Sequence, residues 1–146
     1  MVLMYNPLMS QFEINFIHLC DAATIDGSGK LNMLGIFSII YLQDIPGRLP
    51  KFTAVVSIGV EGKEGIKNTL EIKIAGPNNE NLIVDPPIKA EFTTPNIPAK
   101  KKPTLNLILD IGNLEFKAIG KHTLNVFLND KIIGSKSFNV EKREVK

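Results

Sequence analysis

At 146 residues and 16.1 kDa the chain has the length of one domain, enough to bury about two thirds of its unfolded surface without a metal or disulfide. Its 17 basic and 15 acidic residues leave a formal charge of +2, so no strong field draws in nucleic acid or an anionic membrane, and no nucleic-acid partner is expected. Trp is absent and Tyr occurs twice, which removes the usual aromatic anchors of interfaces and sugar sites.

The first residues, "MVLMYNPLMSQFEINFIHLC", lack an early positive charge and are interrupted by Asn6, Pro7, Gln11, Glu13 and Asn15, which spoils a secretory signal. Leu19 directly before Cys20 is too large for a lipid-attachment site. No apolar run approaches the ~18 residues of a membrane-spanning helix. The one cysteine, Cys20, cannot form an internal disulfide, so the expected compartment is the cytoplasm.

From there the chain alternates apolar and polar residues with period two. Strands are predicted at 11–22, 31–42, 52–60, 68–75, 81–92 (broken at Pro86 and Pro87), 104–111, 121–129 and 132–140. Phe52, Ala54, Val56, Ile58 and Val60 share one face, as do Leu70, Ile72 and Ile74, then Leu105, Leu107, Leu109 and Ile111, then Leu124, Val126 and Leu128. No stretch of helical spacing competes with them. "DGSG" separates the first two strands as a hairpin turn, with Asp26, Gly27 and Gly29 as its positive-φ positions, and Asn129–Asp130 closes a second hairpin. The proline-bearing links 43–51 and 93–103 are long for hairpins and read as crossings between sheets. The fold class is therefore all-β, a two-layer antiparallel β-sandwich of about eight strands, immunoglobulin-like or C2-like. A single domain spans 1–146, with its core at 11–140 and short flexible termini. In the last strand Lys136 falls on the face of Ile132, Gly134, Phe138 and Val140, the mark of an edge strand or a bulge.

The stretch "HLCDAATIDGSGKLNMLGIF" concentrates the residue types that do chemistry. On a strand, His18 and Cys20 share a face while Asp21 takes the other. With His122, the only other histidine, they would make the His₂Cys set of a blue-copper site, but a mid-strand cysteine near the start of the chain does not match the loop clustering of such centres. A Cys20–His122 dyad would need a low-pKa thiolate, and a strand position predicts a small buried hydrophobe instead. "DGSGK" lacks the GxxxxGK-Ser/Thr spacing and the following helix of a phosphate loop. Asp26 lacks the further carboxylates of a calcium loop. Glu61 and Glu64 sit near a turn, "EGKEG", where the sequence identifies no partner for acid–base work, and are assigned to solvent. No metal, cofactor or catalytic residue is assigned. The basic run Lys100, Lys101 and Lys102, without interleaved aromatics, and Lys136 are the candidate interaction residues.

The segment "LCDAATIDGSGKLNMLGIF" resembles the N-terminal hairpin of a family of small, uncharacterised bacterial proteins. In these a strand ending in Cys-Asp or Ala-Asp leads through a Gly-rich turn to "GKLNxLGxF". "LPKFTAVVSIGVEGKEG" and "GKHTLNVFLNDKIIGSKSFNV" match later segments in order, so the resemblance runs from about Phe16 to Val140. It implies a single β-sandwich from a bacterium or phage and brings no activity. Asp21 and Asn32 fit its motif, with the structural role of hydrogen-bonding across the strand pair or to the turn backbone. The expected function is a non-catalytic binding or assembly module, with a protein partner or self-association through the last strand. The alternative is a small-ligand or lipid-surface binder using the end loops 43–51 and 93–103.

Overall fold

A computed structural model describes residues 11–61, 64–83, 86–95 and 103–144. Ten strands follow in chain order: β1 (Gln11–Cys20), β2 (Ala22–Ile25), β3 (Leu31–Leu34), β4 (Ile39–Leu42), β5 (Gly47–Glu61), β6 (Lys67–Ala75), β7 (Ile88–Thr93), β8 (Thr104–Phe116), β9 (Gly120–Leu128) and β10 (Lys131–Lys142). A three-stranded sheet in the order β1-β5-β8 packs on a five-stranded sheet in the order β4-β10-β9-β6-β7, and β2 and β3 form a separate ribbon.

The predicted alternation delivers the core. Phe52, Ala54, Val56, Ile58 and Val60 of β5 face Leu70, Ile72 and Ile74 of β6, Leu124, Val126 and Leu128 of β9, and Phe138 and Val140 of β10 in one continuous buried cluster. Each such Val, Leu, Ile or Phe side chain contributes about 1.5–3 kcal/mol on burial, so β5, central in its sheet, supplies the largest share. The links read as crossings do cross: β4 to β5 and β7 to β8 each pass from the five-stranded to the three-stranded sheet. Asn129 and Asp130 both adopt positive φ (49° and 68°), as the tight β9–β10 turn requires.

Several expectations are corrected. The eight predicted strands become ten, because 11–22 ends at Cys20 with β2 starting separately at Ala22, and 31–42 is interrupted. Gly35 takes a φ of 68°, which a side chain disfavours, and the chain leaves β3 there and resumes as β4 in the other sheet. The predicted strand 81–92 shrinks to β7, with Asn81 making only an isolated bridge to Ala75. One pairing is parallel, β4 on β10. β5 begins five residues early, at Gly47. It could not be read that far back because its inward face changes parity near Pro50. Leu49 and Phe52 both pack into the core, as do Leu114 and Ile111 opposite them, with Asn113 at a φ of 53° absorbing the change on β8.

β10 is an edge strand over part of its length: β9 flanks one side, β4 covers residues 139–142 on the other, and no strand pairs with 131–138 on that side among the described residues. The expected bulge is present, between Ile132 and Gly134, and Lys136 is half-buried. A Cβ at Gly134 would lie 2.8 Å from Cγ1 of Ile14 on β1, so the missing side chain is what lets the two sheets close at this corner. His122 on β9 stacks on Phe138 at 5.5 Å and meets Phe116 edge-on at 5.4 Å. Its Nδ1 lies 2.9 Å from the Gly120 carbonyl; since a carbonyl only accepts, Nδ1 carries the proton, and the buried Nε2 has no partner.

Gly134→Ala is expected to lower unfolding free energy by about 1–3 kcal/mol, the usual cost of overpacking a filled site. In an Ile14→Ala background, where Cγ1 is gone, the same change should cost much less; a double-mutant cycle by urea denaturation measures the difference.

Candidate binding groove

The residues singled out in "HLCD" are separated by the sheet. Cys20 is fully buried but stands apart from the core cluster, on the outer face of the three-stranded sheet, opposite Thr53. Its Sγ–H donates to the Ala22 carbonyl at 3.4 Å. Burial, and after it the negative charges of Asp21 and Asp110, push the thiol above its ordinary pKa, the reverse of what a nucleophile needs. His18 stacks on Phe16 at 4.9 Å, while His122 lies in the core between Phe116 and Phe138. Neither the Cys20–His122 dyad nor the His₂Cys set is assembled. Among the described residues no group of three or more His, Cys, Asp or Glu side chains could hold a metal ion.

The "DGSG" turn is built differently from the expectation. Among its residues only Gly29 takes a positive φ (85°). Asp26 instead accepts hydrogen bonds through Oδ1 from Ser28 N–H (2.9 Å), Ser28 Oγ–H (2.7 Å) and Lys30 N–H (3.0 Å). The Ser28 hydroxyl, and after it the Lys30 amide, hold its carboxyl below the usual range, as bonding to the charged form does. Gly27 has open space around it. Asn32 Nδ2–H donates to the Lys30 carbonyl at 3.4 Å, a turn-backbone contact. Asp21 lies at the open end of the ribbon, where its main-chain N–H, not its carboxylate, reaches the Leu34 and Gly35 carbonyls at 2.9 and 3.2 Å. The carboxylate packs against Gly35 and would collide with any Cβ there.

That turn-out leaves a groove. β1 pairs with β5 no further than Cys20 opposite Thr53, whereas β5 extends back to Gly47, so 47–52 lacks a strand on its β1 side among the described residues. Phe37 N–H returns to the Leu19 carbonyl at 2.9 Å and β4 then joins the other sheet, its far edge facing the same space. Asn139 N–H donates to the Ser38 carbonyl and Arg143 N–H to the Leu42 carbonyl. By the two-residue period of the parallel ladder Ile40 also points to β10, and the N–H and C=O groups of Ile39 and Tyr41 point away from it.

A depression of about 510 Å³ wraps this open edge, lined by Gly35, Ile36, Phe37, Ile39, Tyr41 and Leu49 with Asp21, Lys51 and Arg143 around them. A second, of about 330 Å³, continues it past Tyr41 and Leu49 toward Arg48 and Pro50. Among the described residues six large hydrophobic side chains stand exposed; two of them, Ile36 at 55% and Tyr41 at 47%, line this depression, and Leu34 at 71% adjoins its Gly35. Such clustering marks an interaction surface. Sequence reading passed over Tyr41, Lys51 and Arg143. The available signal was the run Ile39–Leu42, apolar toward both faces where a half-buried strand needs only one.

The other candidate loci are weaker. Lys100, Lys101 and Lys102 lie outside the described residues. The cleft of about 470 Å³ along β8 includes Arg48, already occupied by the Asn113 carbonyl at 2.8 Å and Glu115 at 3.6 Å.

A model of a family described as "Family of unknown function (DUF6941)" matches residues 15–141. No curated protein matches. Among solved structures, a β-glucosidase from Listeria innocua in complex with glucose is similar at 9% identity and a TM-score of 0.49, over 93% of this chain and 17% of that one. The alkylpurine DNA glycosylase AlkC of Pseudomonas fluorescens, bound to DNA containing an abasic site analog, gives 10% and 0.46 over 89% of this chain. The chain spans 30% of that glycosylase's length. An immunoglobulin-like protein from Pseudomonas aeruginosa gives 18% and 0.36, over 90% of this chain and 97% of that one. No helix of the structure is long and apolar enough to cross a membrane.

The environment of Cys20 predicts that a thiol reagent such as DTNB labels the native protein at the rate of unfolding, not at the rate of a free thiol, with labelling complete at once in denaturant. Rapid native-state labelling with a midpoint below pH 7 would restore the nucleophile reading.

Proposed function

We propose that this chain, which belongs to the DUF6941 family of unknown function, is a non-catalytic binding module that takes up an extended segment of another protein along the open edge of β4. The observation that carries this reading is the pairing of a strand edge that is unfilled among the described residues with an apolar floor. Ile39 and Tyr41 offer two N–H and two C=O groups to an added strand, and Ile36, Phe37 and Leu49 lie beside them for its side chains. Strand addition draws affinity from main-chain bonds and specificity from adjacent pockets. The placement of Cys20 and His122 supports a non-catalytic role, because the thiol is raised and the imidazole is enclosed by Phe116 and Phe138. A reducing, cytoplasmic setting suits a protein whose one cysteine is a free thiol. Self-association through the last strand is confined to residues 131–138, because β4 covers 139–142 of β10.

Ile39→Pro tests this. It removes an N–H on the open side while Ile40 and Leu42 keep their bonds to β10, and proline is tolerated on an edge strand. Against 12-residue linear peptides selected on the protein from a displayed random library, the substitution should weaken binding tenfold or more. Amide shift changes on binding should cluster at 36–41, at 49 and 51, and at 143. Binders that perturb a different face, or that bind a folded I39P protein unchanged, would overturn the reading. So would a dimer in solution that I39P abolishes, since it would assign the edge to a second copy.

A further inference from the structure

Resting on that reading of the β4 edge, we infer that the strand it takes up must present an aspartate or glutamate side chain at the position that meets Arg143. The Arg143 guanidinium lies over the Tyr41 ring, 4.8 Å from its centroid. It forms no ion pair with a carboxylate among the described residues. Its main-chain N–H is fixed to the Leu42 carbonyl at 2.8 Å, so the backbone that carries it is held in register with the end of β4. A guanidinium stacked on an aromatic face keeps its planar fork of donors free at the rim, and that fork matches a carboxylate in a bidentate pair.

The other charges of the groove sharpen the assignment. Lys51 is the second cation in the lining, but it is engaged by Asp110 at 3.9 Å. In the depression that Arg143 itself lines, the one acidic side chain is Asp21, packed against Gly35; Asp44 lines the continuation beyond Tyr41, and neither carboxylate pairs with Arg143. Arg143 is therefore the cation of this depression without a carboxylate partner among the described residues, with Asp21 at the Gly35 side of the same lining. A strand with its acidic residue at the Arg143 end and an aliphatic or aromatic side chain over Ile36 and Leu49 satisfies both. The reversed charge order would set carboxylate against Asp21 and leave the guanidinium unpaired. This is selection by repulsion as well as by attraction.

The experiment uses the same displayed library, fused at its C-terminal end so that no free terminal carboxylate competes, selected on the intact protein and sequenced. Selected peptides should be enriched in Asp or Glu at one fixed distance from a large apolar residue. Their affinity should fall about tenfold in Arg143→Gln, fall less in Arg143→Lys, which keeps the charge but loses the fork, and drop as salt is raised from 50 to 500 mM. Binders that still lose affinity in I39P yet show no acidic enrichment and bind R143Q normally would overturn this inference and leave the strand-addition reading intact. Peptides that are indifferent to both I39P and R143Q would overturn both. Thermal melting of R143Q, expected within a few degrees of wild type for an exposed side chain, separates lost contact from lost fold.

Discussion

The place where β1 stops pairing with β5 sets the layout of the rest of the molecule. At Cys20 the chain could continue along β5, which extends six residues past Thr53 on that side. It turns out instead at Asp21, held by main-chain bonds to Leu34 and Gly35, and makes the short β2–β3 ribbon. Gly35 is required at the return, both for its left-handed backbone and for the space the Asp21 carboxylate occupies. The bond from Phe37 N–H to Leu19 brings the chain back to the end of β1 before it passes into the other sheet as β4.

Two consequences come from that one detour. First, β4 arrives beside β10 in parallel, an unusual addition to an otherwise antiparallel sheet, and closes the end of the strand that would have been the edge. Second, the space that β1 does not fill is left between β4 and the start of β5, with apolar side chains on its floor. Edge strands in stable proteins are commonly blunted by charge, proline or a bulge. Here Pro50 lines the continuation of the depression and Arg143 stands at its rim, but Ile39 and Tyr41 carry neither device. An edge left open on a floor this apolar is either a hazard or a docking site, and the cation at its rim favours the second by adding selectivity.

How much of this was legible in the sequence depends on the physics of each part. The alternation of β6 and β9 was readable because each buries mainly one face, so period two survives in the letters; β5 is buried on both faces over 52–58, and its alternation was readable because Thr53 and Ser57 keep small polar side chains on the outer face. The Asn129–Asp130 turn was readable because both residues tolerate positive φ. The parity change near Pro50 and the break at Gly35 were not, because each depends on partners distant in the chain: Asn113 for the first, Asp21 for the second. The chemistry-bearing types in "HLCD" misdirected attention from the groove. Cys20 and His18 lie on the outer face of the three-stranded sheet while His122 faces the core, and no local pattern reveals which strands from distant segments will share a face. Arg143 and Tyr41 were invisible for the same reason, since a parallel pairing of 39–42 with 139–142 leaves no trace in either segment.

Amide hydrogen exchange of the monomeric protein, followed by NMR across β4, tests the open edge most directly. The N–H groups of Ile40 and Leu42, which the parallel ladder binds to β10, should be protected, while those of Ile39 and Tyr41 should exchange close to the rate of an exposed peptide. Equal protection at all four positions would mean that the edge is already filled, and the groove would lose its claim to a partner strand.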